Sequence, residues 1–376
     1  MIVSSQFDGG NIECLECDDP TNIRLEIRRD NQSDFYQWFY FRAANVRDLE
    51  CRYVISNAGG AAYQKGWEGY QAVASYDREF WFRVDTSFDG KNLVIEHSSN
   101  EDQVYFAYFA PYSMERHADL IAFAQTSERC QVETLGKTLD GQDMDCLQFG
   151  EPGEDRKPIW MVARQHPGET MAEWWMEGLI NRLVDHSDPV VNALLDRAVI
   201  YLVPNMNPDG SRRGHLRTNA AGANLNREWD NPTAENSPEV LCVLEKIKST
   251  GLAFGLDVHG DEGLPYNFIA GTEGIPGWNE ARQAQLDLYK QTLARLNPDF
   301  QVEHGYPANT TGQANMSYCS NSLAERFGAL VMTLEMPFKD ATGTPDRIQG
   351  WSPERCARLA HSCLDTLHLC WDEVVI

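Results

Sequence analysis

Four short apolar runs, each breaking off into a cluster of polar residues, constrain this chain more than any other feature. They are PIWMVA at 158–163, AVIYLVP at 198–204, LAFGLDV at 252–258 and ALVMTLE at 329–335. All are apolar nearly throughout rather than at alternate positions, as strands of a parallel sheet covered on both faces are. Helical periods separate them. Met171, Trp175, Leu179 and Leu183 fall on one side of a segment from about 170 to 184, and Val240, Leu244 and Ile247 follow Ser237-Pro238. Leu286, Tyr289, Leu293 and Leu296 mark a third helix. A last one opens at Ser352-Pro353, with Ser352 as N-cap and Cys356, Cys363 and Cys370 on its apolar stripe. The alternation predicts an α/β domain: a mixed, mainly parallel sheet with helices on both faces.

Ahead of that alternation the signals are all strand. FYQWFYFRA at 35–43, EFWFRVDTSF at 79–88, LVIEH at 93–97 and VYFAYFA at 104–110 follow one another without a helical period. Phe88 and Leu93 flank Asp89-Gly90, a pair suited to a tight turn between antiparallel strands. An all-β sandwich over 1–112 preceding an α/β domain over 113–376 is the expected division. Trp38, Tyr40, Trp81 and Tyr105 are the residue types of a sugar platform, but aromatics on strands more often fill a core, and packing is the preferred reading.

Acidic residues number 56 against 32 Lys and Arg, a formal charge of −24. Such a surface repels phosphate backbones and anionic headgroups, so neither nucleic acid nor membrane is an expected partner. The start lacks a basic segment followed by an apolar one, and no apolar run approaches the ~18 residues of a membrane span, which predicts a cytoplasmic protein. The ten cysteines are then expected to be mostly free thiols. Cys14 and Cys17 form a CxxC with no second CxxC to complete a four-thiolate metal site.

Open parallel sheets bind ligands beyond the carboxyl ends of their strands, so the residues just after each run carry the functional information. The first runs into His166-Pro167-Gly168-Glu169, the second into Asn205-Met206-Asn207, the third into His259-Gly260-Asp261, and the fourth ends on Glu335. Pro167 biases His166 away from the helical region, so His166 and Glu169 belong to a turn entering a helix. With His259 they make a His₂Glu set for one zinc ion with an open position. Zinc acidifies water and polarises a carbonyl, and Glu335 is placed to take the proton and pass it to a leaving amine, which is metal-assisted amide hydrolysis. An isolated HxxE recurs by chance; four strand ends each delivering a reactive group is a stronger pattern. His97, His117, His186, His215, His304, His361 and His368 have no comparable setting and read as structural. A second cluster, Arg217, Asn226 and Arg227, has the donors that hold a carboxylate, although composition alone does not separate that role from an ordinary arginine-rich surface.

Taken together, QWFYFR (37–42), YFAYFAPYS (105–113), HPGET (166–170), PNMNPDG (204–210), GANLNREW (222–229), DVHG (257–260) and TLEMPF (333–338) resemble the metallocarboxypeptidases, and most closely their cytosolic carboxypeptidase branch. The resemblance implies that His166, Glu169 and His259 hold one Zn²⁺ per chain and that Glu335 is general base and later proton donor. It also implies that Arg217 steadies the carbonyl oxyanion while Asn226 and Arg227 grip the substrate's terminal carboxylate. Two departures stand out. Asn224 occupies a position where the wider family usually has an aspartate, and Gly312-Gln313-Ala314-Asn315 lacks the arginine that accompanies glutamate removal. Tyr306 and Tyr318 both lie in the stretch of the family's substrate-capping tyrosine. The expected activity is zinc-dependent removal of C-terminal residues from peptides or protein tails. An amidohydrolase of small N-acyl amino acids and a catalytically silent binding module with a structural metal are the alternatives.

Overall fold

In the computed structural model, which describes residues 1–375, the four apolar runs lie side by side at the centre of a seven-stranded sheet. In spatial order the strands are Cys130–Lys137, Asp143–Phe149, Ala198–Val203, Lys157–Ala163, Phe254–Asp261, Leu330–Pro337 and Phe268–Ala270. The middle four are parallel, and antiparallel strands form the margins. Every residue of Ala198–Val203 and of Leu330–Pro337 is buried, which is why those runs lack alternation.

Successive side chains still point to opposite faces, and two separate cores result. Ile159, Met161 and Ala163 share one core with Leu179 of helix Met171–Leu183 and Leu364 of helix Pro353–Leu369. Trp160 and Val162 share the other with Val240 and Leu244 of helix Pro238–Thr250 and Leu323 of helix Cys319–Phe327. Two details differ from expectation. Leu296 ends helix Glu280–Leu296 facing solvent, because the last turn runs past the core that holds Leu286, Tyr289 and Leu293. Ser352 stands at the N-cap of helix Pro353–Leu369, yet its side chain caps nothing; its carbonyl takes the N–H groups of Arg355 and Cys356 instead. Cys356, Cys363 and Cys370 are buried as the stripe predicts, and all ten cysteines are free thiols.

The front of the chain forms two five-stranded sheets between residues 2 and 107. One holds Tyr40–Ala44 and Gln103–Ala107, the other Glu50–Ile55 and Leu93–Ser98. Their inner faces meet: Tyr53 of the second lies 5.7 Å from Phe41 and 4.7 Å from Phe106 of the first, between ring centroids. Asp85–Phe88 and Leu93–Ser98 are antiparallel neighbours, with Phe88 opposite Leu93 and Gly90 at φ 93° in the turn. Residues 35–39, expected as strand, are irregular. Gln37 commits its amide to the main chain of Tyr63, accepting from its N–H at 2.7 Å and donating to its carbonyl at 3.1 Å, where a ladder would have used backbone groups. Trp38, Tyr40 and Trp81 are buried, and Tyr105 lies against the Tyr40 ring, so the aromatic rows are core.

The two halves share one hydrophobic cluster. Tyr108 stacks on Phe338 with centroids 4.5 Å apart, and Arg83 crosses the seam to donate to the carbonyls of Phe338 and Gln349. No helix among the described residues is long and apolar enough to cross a membrane.

Candidate active site

The carboxyl ends of the parallel strands open into a pocket of about 630 Å³ lined by His166, Glu169, Arg217, Asn226, Arg227, His259 and Glu335, with Tyr306 and Tyr318 on its wall. All seven residues singled out from the sequence thus converge. His166 and Glu169 lie in the turn between strand Lys157–Ala163 and helix Met171–Leu183, whereas His259 and Glu335 are on neighbouring strands and directly paired in register.

The Nδ1 of His166 lies 2.6 Å from one Glu169 oxygen, and the Nδ1 of His259 lies 2.7 Å from the other. Ligand atoms from these three buried residues all fall within 4.8 Å of one another. Each imidazole is oriented from behind through Nε2: His166 faces Asn224 Oδ1 at 3.0 Å, and His259 faces Asp257 Oδ2 at 2.9 Å. An imidazole whose far nitrogen is engaged by an acceptor is the usual environment of a metal-bound histidine, so the donor set fits zinc. Asn224 fills the place of the family's aspartate as a neutral acceptor, while Asp257 supplies a charged one to the other histidine. Asp257 is fixed in turn by the amide of Gln165, 2.8 Å from both its oxygens, and Gln165 accepts from Trp229 Nε1 at 2.8 Å.

The turn bearing His166 is held under strain. Arg164 has φ 57°, a left-handed conformation that costs a non-glycine residue about 1–2 kcal/mol. Its side chain offsets this cost by donating to the carbonyls of Pro167 and Tyr112, both at 2.9 Å, and to Glu173 at 2.6 Å. The other Glu173 oxygen faces His117 Nδ1 at 2.6 Å.

Glu335 is buried, and its Oε2 has no hydrogen-bond partner among the described residues. Burial pushes its carboxyl well above the ordinary range; His259 opposes the shift, and Glu169, Asp261 and Glu262 add to it. For Arg217, burial works against the charge, but Tyr63, Glu169, Glu262 and Glu335 hold it above its ordinary value. Arg227 lies 3.8 Å over the Tyr318 ring, and Asn226 anchors its loop by accepting from the Cys319 N–H at 2.8 Å. The two candidate tyrosines therefore separate: Tyr318 supports Arg227, and Tyr306 places its hydroxyl 2.5 Å from Asp261 and 3.4 Å from Glu335.

Sequence reasoning did not find Asp257, Gln165, Glu262 or Tyr63, all part of or next to this pocket. Asp257 carried a signal, since it stands two residues before His259 on a strand and so shares its face. Tyr63 and its neighbours Gln64 and Lys65 come from the front half, which lines one side of the pocket.

Residues 3–109 match the sequence model of the cytosolic carboxypeptidase N-terminal domain, and residues 117–262 match that of the zinc carboxypeptidases. An uncharacterized protein of Zymomonas mobilis is 51% identical over all of this chain and 98% of its own. A metallo-carboxypeptidase of Pseudomonas aeruginosa, solved with (2-guanidinoethylmercapto)succinic acid, is 43% identical with a TM-score of 0.96, over 99% of this chain and all of that one. Cytosolic carboxypeptidase 6 of Mus musculus is 27% identical over 78% of this chain, which spans 59% of that protein.

Proposed function

This chain belongs to the zinc carboxypeptidase family, and we propose that it releases the C-terminal residue of peptides or protein tails with Glu335 as general base. That it is a metallocarboxypeptidase, a hydrolase of peptide bonds, follows from the family; the residue roles and substrate are the proposal. His166, Glu169 and His259 are the residues to hold one zinc ion, which when bound supplies the positive charge that polarises a carbonyl and acidifies water.

The chain's own groups do the rest. Glu335 receives the proton of the attacking water and returns it to the leaving amine, so that one carboxyl serves as base and then acid. The buried Oε2, without a hydrogen-bond partner among the described residues, on a side chain that lines the same pocket as the three ligands, is the observation that carries this reading. A carboxyl raised by burial accepts a proton more readily than a solvated one. Arg217 provides a fixed positive charge for the developing oxyanion. Arg227, lying over the Tyr318 ring, and the Asn226 amide grip the terminal carboxylate. The (2-guanidinoethylmercapto)succinic acid in complex with the Pseudomonas aeruginosa relative carries carboxyl groups of the kind such a grip suits. Tyr306, beside Glu335, closes over the substrate. Residues 1–112 and 113–376 are the two units of this enzyme, and the cytoplasm is its proposed compartment.

Zinc-loaded protein incubated with a peptide library varied at the last residue, with a chelated control, tests the reading by mass spectrometry. Free terminal residues from longer peptides, only in the loaded sample, are the expected outcome. Cleavage confined to N-acyl amino acids would replace it with an amidohydrolase, and an untouched library would leave a binding module.

A further inference from the structure

Unlike His166, Glu169, His259 and Glu335, Arg217 comes from the loop after helix Pro208–Arg213 rather than from a strand end or the turn after one, and that loop is gripped by the front half of the molecule. Asp30, at 3% exposure, accepts the backbone N–H of Leu216 on Oδ1 at 2.7 Å. Its Oδ2 accepts the N–H groups of Arg217 at 2.8 Å and Thr218 at 2.9 Å, and the Thr218 hydroxyl at 3.1 Å. Next to it, Asn31 donates its N–H to His215 Nε2 at 3.0 Å and its amide to the Ala220 carbonyl at 2.7 Å. Gly222, at φ 79°, allows the closest approach: a Cβ there would lie 2.5 Å from the Gln32 carbonyl oxygen. The guanidinium is flanked by front-half rings as well, 5.6 Å from the centroid of Phe35 and 5.5 Å from that of Tyr63.

A buried carboxylate is tolerated when several donors satisfy it, and here the three amide donors are those of Arg217 and its two immediate neighbours. Loops are the mobile part of a scaffold, whereas a charge that stabilises an oxyanion must hold its place to within about 0.5 Å. A carboxyl clamp on the backbone of Arg217 and its two neighbours resolves the conflict. We infer that Asp30 is a positioning residue for the hydrolysis, fixing the 216–218 backbone so that Arg217 meets the oxyanion. The front domain is then part of the catalytic apparatus. This inference rests on the role of Arg217 proposed above.

A double-mutant cycle on the zinc-loaded full chain tests it, with kcat, KM, bound zinc and thermal midpoint measured for Asp30→Asn, Arg217→Ala and the double variant. Arg217→Ala is expected to lower kcat about 10²–10³-fold, the usual effect of losing an oxyanion donor, with zinc retained. Asp30→Asn is expected to lower kcat roughly tenfold or more with KM nearly unchanged, the pattern of an interaction made in the transition state. In the Arg217→Ala background the same substitution should cost less than about twofold. An equal loss in both backgrounds, a loss confined to KM or zinc content, or no loss at all overturns the inference. If Arg217→Ala itself left kcat intact, the Arg217 reading would fall first, a result distinct from the others. Should Asp30→Asn not fold, Asp30→Glu, which moves the acceptor oxygens by one methylene, enters the same cycle.

Discussion

Glu173 and Glu335 are both buried carboxyls of the catalytic half, yet one has each oxygen engaged and the other has an oxygen that meets nothing. Glu173 faces Arg164 and Asn205 with one oxygen and His117 with the other. Glu335 has Tyr306 at 3.4 Å on one oxygen and, among the described residues, no partner on the other. A buried charge whose partners are all present is architecture: Glu173 pins the strained turn that aims His166. A buried carboxyl left short of partners is costly to the fold, and its retention at the mouth of four strand ends points to chemistry.

The contrast is sharpest in turnover. Glu335→Gln should lower kcat by about 10²–10⁴-fold, the range of general acid–base catalysis, while bound zinc and thermal midpoint stay at wild-type values. A variant that hydrolyses peptides normally would remove Glu335 from the reaction. Glu173→Gln should show the reverse, a loss of stability of about 3–5 kcal/mol in denaturant titration, because Arg164 and His117 are left buried beside a neutral group. The same network has a pH signature. Burial works against the charge of His117, but Glu173 and Asp145 raise its pKa to about 9. Its contribution is therefore complete below the unfolded value of ~6.5 and is lost as pH rises through about 9, at most about 3 kcal/mol. Stability measured from pH 6 to 10 should fall over that window in wild type and less in His117→Asn; parallel curves would contradict the pairing. The smallest effect is expected at Glu262, a buried pocket carboxyl in no ion pair among the described residues, raised by burial and by Glu169. Glu262→Gln should change stability by no more than about 1 kcal/mol, and a loss matching that of Glu173→Gln would break the comparison.

The legible part of the site obeys the same physics. His166, Glu169, His259 and Glu335 could be read from the sequence because a parallel sheet places whatever ends its strands at one edge, and the apolar runs marked those ends. Asp257 was within reach of the same reasoning, two residues before His259 on one face. The clamp at Asp30 was not. A carboxylate that accepts main-chain N–H groups 186 to 188 positions away leaves no residue pattern at either end. Residues 35–39 misled for a related reason, since their aromatic content suits a strand while the Gln37 side chain takes over the bonding a ladder would provide. Arg164 in a left-handed conformation had no signal either, because only the surrounding acceptors make it tolerable.

Strand Leu330–Pro337 presents Glu335, and three positions beyond that residue Phe338 lies flat on Tyr108 of the other half. The proposed general base is thus mounted on a short lever whose far end is bolted into the neighbouring unit. Chimeras that splice this catalytic half to a foreign front piece would have to carry both faces of that joint, or inherit a misaimed Glu335 in an otherwise well-formed sheet.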